Sequence, residues 1–228
     1  VLLLLSCQKA DTWQQKTDMP TARLGLATAV IDEKIYAIGG YPYANGERMA
    51  TNEVYDPKTN IWESRAPMPT SRCWMSASTV DGKIYVFGGY TNVSGPGLST
   101  VEEYDPETDT WTAKADMPTA RLGPASCVVD GIIYVIGGAS QVSQQLKTVE
   151  AYNPETDTWT IKADMPAARM MLSACAVNGK IYAIGGEEQF LESDVVQEFD
   201  PVFLCYNGDL LSPILKASLC WNFHIAGV

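Results

Sequence analysis

The sequence predicts an all-β protein made of four tandem repeats, on three observations. Tryptophans recur at Trp13, Trp62, Trp111 and Trp159, in steps of 49, 49 and 48 residues. Glycine doublets (Gly39-Gly40, Gly88-Gly89, Gly137-Gly138, Gly185-Gly186) and Met-Pro-x-x-Arg segments ending at Arg23, Arg72, Arg121 and Arg169 keep the same steps. Between these markers no stretch holds the 3.6-residue period of a helix, whereas short alternating runs bounded by turn residues are frequent. A fixed period of about 49 residues marks units that bury their apolar faces only against one another.

Each unit reads as four strands. The first follows the arginine and is rich in small residues, as in Ala27-Thr28-Ala29-Val30-Ile31. A two-residue turn comes next: Asp32-Glu33, Asp81-Gly82, Asp130-Gly131 and Asn178-Gly179. Asp-Gly and Asn-Gly suit hairpins because both turn positions require positive φ. The second strand is Ile-Tyr-x-x-Gly-Gly, as in Ile84 to Gly89. A loop that differs in every unit leads to a third strand such as Val101-Glu102-Glu103-Tyr104, which ends at Asp105-Pro106. The fourth strand carries the tryptophan, as in Thr110-Trp111-Thr112-Ala113. Four antiparallel strands at this period make a propeller blade. Small residues suit the crowded axis, and Tyr and Trp suit the wider space where blades pack face to face.

The combination of Gly-Gly, Tyr-Asp-Pro-x-Thr-x-x-Trp and Met-Pro-x-x-Arg resembles the kelch repeat family over about residues 11–201. The expected repeats run over about 23–64, 72–113, 121–162 and 169–201. The expected fold is therefore a kelch-type β-propeller of four-stranded antiparallel blades. Kelch propellers close with five to seven blades, as the resemblance implies, so these four are expected to belong to a larger ring. The repeat pattern stops after Phe199-Asp200-Pro201, which leaves three strands in the last unit and a non-repeat tail over 202–228. Residues 11–16, with Trp13, read as a lone outer strand; pairing it with the last unit would instead close a ring of four.

The formal net charge is −11, a field that repels phosphate backbones and argues against nucleic acid. Six cysteines (7, 73, 127, 175, 205 and 220) show no zinc spacing, and His224 is the sole histidine. No metal or cofactor is therefore expected, and Cys127 and Cys175 read as small buried residues. The start, Val1 to Cys7, is too short an apolar run to span a membrane. It resembles the end of a signal peptide, and Leu4-Leu5-Ser6-Cys7 resembles a lipobox in which Cys7 is lipidated. The chain is expected to be exported, periplasmic or cell-envelope if bacterial and otherwise secreted, with Cys7 as its only membrane attachment.

Strand parity sorts the surfaces. Turns after strands one and three repeat closely and read as scaffold, whereas the other face carries the Met-Pro-x-x-Arg connections and the variable loops. Those loops hold Tyr41, Tyr43, Arg48, Tyr90, Asn92, Gln144, Gln145, Glu188 and Phe190. Variable polar and aromatic loops on a rigid scaffold suit recognition. Tyr41, Tyr90, Gln144 and Glu188 are the ligand-binding candidates from them, and Arg23, Arg72, Arg121 and Arg169 join them as a column at the channel mouth. Guanidinium groups grip carboxylates in a two-pronged fashion, and in several kelch relatives arginines of this column hold acidic peptides. The alternative is that each arginine bonds the neighbouring blade's backbone carbonyls or an acidic turn. The glycine doublets and Trp13, Trp62, Trp111 and Trp159 read as structural. The expected function is a binding scaffold for a protein or an acidic small ligand. The alternative is a kelch-type carbohydrate-active enzyme such as a sialic-acid mutarotase, for which Glu187 and Glu188 are candidates because they sit near the channel face.

Overall fold

The computed structural model describes residues 13–43, 46–92, 95–141, 144–189 and 191–201, and the backbone of 205–206 and 209–210. Blade 1 comprises β1 (Ala27–Ile31), β2 (Lys34–Ile38), β3 (Asn52–Asp56) and β4 (Ile61–Arg65). Blade 2 comprises β5 (Ser76–Val80), β6 (Lys83–Phe87), β7 (Val101–Asp105) and β8 (Thr110–Lys114). Blade 3 begins with β9 (Ala125–Val129) and β10 (Ile132–Ile136). The short strands β11 (Ala139–Gln141) and β12 (Gln144–Gln145) then pair in its variable loop, and β13 (Val149–Asn153) and β14 (Thr158–Ile161) complete it. Blade 4 has three strands among the described residues, β15 (Ser173–Val177), β16 (Lys180–Ile184) and β19 (Val196–Phe199). Its loop holds the pair β17 (Glu187–Glu188) and β18 (Leu191–Glu192). All pairings within the blades are antiparallel, and the inner strands pack in the order β1, β5, β9, β15. The all-β propeller stands.

The hairpin turns adopt the expected left-handed geometry, with φ of 49° and 72° at Asp81 and Gly82 and 52° and 76° at Asn178 and Gly179. The apolar cores lie between blades. Ala27, Ala29, Tyr36 and Ile38 of blade 1 meet Ile84, Val86 and Tyr104 of blade 2. The same columns repeat between blades 2 and 3 and between blades 3 and 4. Met68, Met117 and Met165 of the Met-Pro pairs are buried in these seams.

The glycine doublets serve the seams too. Gly88 and Gly89 have φ of 65° and 89°, and the Gly89 N–H donates to the Arg121 carbonyl of the next blade at 2.9 Å. A Cβ on Gly88 would stand 2.4 Å from that same carbonyl oxygen. Gly39-Gly40 and Gly137-Gly138 contact Arg72 and Arg169 in the same way. The tryptophans clasp backward: Trp111 Nε1 donates to Ala66 O at 2.8 Å, and Trp159 Nε1 to Ala115 O at 2.9 Å. Trp62 Nε1 reaches Thr17 O at 3.0 Å, so Thr17 occupies the place that Ala66 and Ala115 take later.

Trp13 departs from the structural role expected of it. It is fully exposed, and residues 13–16 lie in no strand. The clasp on blade 1 is made by Thr17, and among the described residues none before it pairs with a sheet. Cys127 is buried as expected, and burial pushes its thiol up to about 12. Cys175 is exposed instead, because the face of β15 that carries it is open to solvent. Cys7, Phe190 and the tail beyond 210 lie outside the described residues.

Candidate functional site

The four repeat arginines lie inside their own blades. The side chains of Arg23, Arg72 and Arg121 are fully buried, each paired at 2.7 Å with a glutamate on the third strand of the same blade: Glu53, Glu102 and Glu150. A threonine two residues before each arginine donates to the same carboxylate: Thr21, Thr70 and Thr119. Arg72 also donates to the Gly88 and Thr100 carbonyls at 3.1 and 3.0 Å. In blade 4 the threonine and the glutamate change together, to Ala167 and Gln197, and Arg169 donates to Gln197 Oε1 at 2.8 Å. Burial pulls the Arg72 guanidinium down to about 10, with Glu102 opposing, so it stays charged near neutrality. The arginine column therefore does not line the channel mouth. The carboxylate partners of Arg23, Arg72 and Arg121 are internal, and no ligand carboxylate reaches those three forks without displacing a buried glutamate.

What the structure does bring together is Tyr41, Tyr90 and Arg48. The Arg48 guanidinium lies 4.8 Å from the centre of the Tyr41 ring and 4.5 Å from that of Tyr90. It is thus clamped between the variable loops of blades 1 and 2. Arg48 Nη1 donates to the Gly46 carbonyl, and its Nε is buried with no protein acceptor. Such stacking fixes the plane of the guanidinium and leaves donors at its edge. Arg48 lines an open cleft of about 660 Å³, whose other walls include Glu47, Pro69, Thr70, Ser71, Thr91 and Asn92. Thr70 links this wall to the buried Arg72–Glu102 pair, so the arginine column reaches the cleft only through what it positions.

Trp74 belongs to the same cluster. Its ring packs against the Tyr90 ring at 5.4 Å with a T-shaped edge, and Cys73, Leu122 and Met170 form the apolar bed beneath. Sequence reasoning passed over Trp74 because it falls at no tryptophan phase. The available signal was its column, which reads Gly25, Trp74, Gly123 and Met171.

The other candidates lie elsewhere. Gln144 is an exposed residue of β12 that accepts from the Ser140 hydroxyl, whereas Gln145 ties blade 3 to blade 4 by accepting from the Gln189 N–H at 2.7 Å. Glu188 lines a second cleft with Leu191 and Asp194 on blade 4, away from the tyrosine pair. Among the described residues, no group of His, Cys, Asp and Glu is placed to hold a metal, and no helix is long and apolar enough to cross a membrane.

Four-stranded antiparallel blades joined by backward tryptophan clasps define a β-propeller. The chain belongs to the kelch-repeat family: the KLHDC2/KLHL20/DRC7 Kelch-repeats domain matches residues 1–186. The solved structure of YjhT superposes with a TM-score of 0.69 at 19% identity, over 77% of this chain. At that identity the likeness concerns the fold, and this chain spans 63% of the YjhT chain. No curated protein matches the sequence.

Proposed function

We propose that this chain is a binding module rather than an enzyme, and that it holds a carboxylate-bearing protein segment or small ligand in the cleft edged by Arg48. The observation that carries this reading is the Arg48 guanidinium clamped between Tyr41 and Tyr90 at the wall of an open cleft. A guanidinium fixed in plane loses little freedom when it binds a carboxylate fork, which favours affinity. The net charge of −11 around it repels anions elsewhere, so this edge becomes the place where one can settle. The cleft walls offer hydroxyls, an amide and the guanidinium beside one carboxylate, Glu47, a mixed polar lining that suits recognition. The four blades are read as part of a larger ring, and export is read from Leu4-Leu5-Ser6-Cys7 alone.

The test is titration of wild type and Arg48→Gln with N-acetylaspartylglutamate, followed by nuclear magnetic resonance. Wild type should show saturable shifts in the variable loops of blades 1 and 2, and the variant should bind at least about tenfold more weakly, or 1.4 kcal/mol. Equal binding by both proteins, or shifts confined to other blades, would remove Arg48 from the site.

A further inference from the structure

We propose that Trp74 determines the specificity of this site, and that the ligand it selects is a peptide segment carrying an aromatic side chain beside a carboxylate. The proposal rests on the Arg48 reading above and adds the ring.

The inner rim of the loop-rich face is a backbone relay in which each blade holds the previous one. Trp74 N–H donates to Gly25 O at 2.8 Å, Gly123 N–H to Trp74 O at 2.7 Å, and Met171 N–H to Gly123 O at 2.8 Å. The relay imposes a left-handed conformation on all four residues, with φ of 62°, 53°, 58° and 53° along the chain. Glycine suits that conformation, and blades 1 and 3 use it. A tryptophan there is a backbone outlier, and outliers of this kind concentrate where ligands are held.

Side chains alternate with gaps around the rim. A Cβ on Gly25 would stand 2.5 Å from Trp74 Cδ1 and 3.3 Å from Tyr41 Cε1. The indole therefore lies back across blade 1, over a spot kept bare for it and beside Tyr41. Met171 repeats the arrangement over Gly123, at 3.4 Å, and stays exposed. Trp74 is only partly buried, so the indole keeps a solvent-facing part.

Tyr90 joins the two stations. Arg48 lies 4.5 Å from its ring centre and the Trp74 ring 5.4 Å from it. In the proposed pose one amino-acid unit bridges them, with its carboxylate at the Arg48 guanidinium and its ring on the solvent-facing part of the indole. Aromatic pairs add stabilisation beyond simple burial and prefer offset or edge contacts. A small carboxylate with no ring meets Arg48 alone.

Three probes separate the parts: N-acetylphenylalanine, N-acetylalanine and N-acetylphenylalanine amide. Wild type should bind the first at least about fivefold more tightly than either of the others. The ring-bearing probes, but not N-acetylalanine, should shift the Trp74 indole N–H resonance. Trp74→Met installs the residue that blade 4 carries in this column, and Trp74→Gly the residue of blades 1 and 3. Either should erase the preference for the ring while N-acetylalanine still binds through Arg48, and Trp74→Phe should retain most of the preference. If N-acetylalanine binds through Arg48 but the ring adds nothing, the proposal fails and the Arg48 reading stands. If no carboxylate probe binds wild type, both fail. An unchanged ring preference in Trp74→Met, or no shift of the indole signal in wild type, would overturn the role of Trp74.

Discussion

Replacing Arg72 by Met should destabilise the domain far more than replacing Arg169 by Met, although the two residues occupy the same column. Arg72→Met leaves the Glu102 carboxylate, 4% exposed, with Thr70 as its remaining side-chain donor. It also strips a donor from the Gly88 and Thr100 carbonyls. Breaking a buried pair by removing one charge costs about 3–5 kcal/mol. Arg169→Met strands no buried carboxylate, because its partner is the neutral Gln197; it loses hydrogen bonds to Gln197, Gly185 and Val195 and a long one to Ala183 at 3.4 Å. Each such bond is worth about 1 kcal/mol net, so the loss is about 2–3 kcal/mol at most. At roughly 2–4 °C per kcal/mol for a domain of this size, Arg72→Met should melt about 6–20 °C lower. Urea denaturation and thermal melts followed by far-ultraviolet circular dichroism measure both variants. Equal losses would refute the stranded carboxylate. An unchanged melt in Arg72→Met, with loss of N-acetylaspartylglutamate binding, would return the column to the ligand.

Three further outcomes follow from the seams. Asp109 accepts from the Tyr104 hydroxyl and the Ala66 N–H, and these bonds hold its carboxyl below the usual range. Its contribution is thus complete above the ordinary Asp value of about 4 and lost as pH falls through the lowered one. Asp109→Asn should match wild type near pH 7 and show a flatter acid limb in melts from pH 7 to 2, as Asn60 already accepts the same two bonds in blade 1. Gly88→Ala should cost at least about 2 kcal/mol, because its Cβ meets the Arg121 carbonyl, whereas Gly82→Ala meets nothing and should cost about 1 kcal/mol; urea midpoints that coincide would contradict the close approach. Val30, Val177 and Val196 are more than half exposed on the outer faces of blades 1 and 4. The isolated chain should therefore self-associate with rising concentration in sizing chromatography with light scattering, and a clean monomer with a cooperative melt would show that these faces tolerate water.

Repetition made the fold legible and obscured the site. Period alone placed the strands, the left-handed turns and the glycine doublets, because each serves a contact that recurs at every seam. The same regularity misplaced the arginines. A recurring charged residue satisfies a radial array at the axis and a buried pair within each blade equally well, and Glu53, Glu102 and Glu150 sit about 30 residues away from their arginines. The joint change to Ala167 and Gln197 was the one sequence trace of that pairing. Tyr41 and Tyr90 were found because they stand where the loops vary. Arg48 was visible as a loop residue, but its place between two rings depends on how adjacent loops lean on each other, which no spacing encodes.

The clasps also bear on how such a chain can grow. Trp111 reaches back to Ala66 and Trp159 to Ala115, spans of 45 and 44 residues that each cross one blade boundary. Any window of one period therefore carries one clasping tryptophan and one acceptor carbonyl, although these can serve two successive junctions. A tandem gene duplication of such a window inserts a blade together with its own fastening, and neither neighbour needs a compensating change. Ring size becomes adjustable in whole steps, while each variable loop stays free to diverge once copied.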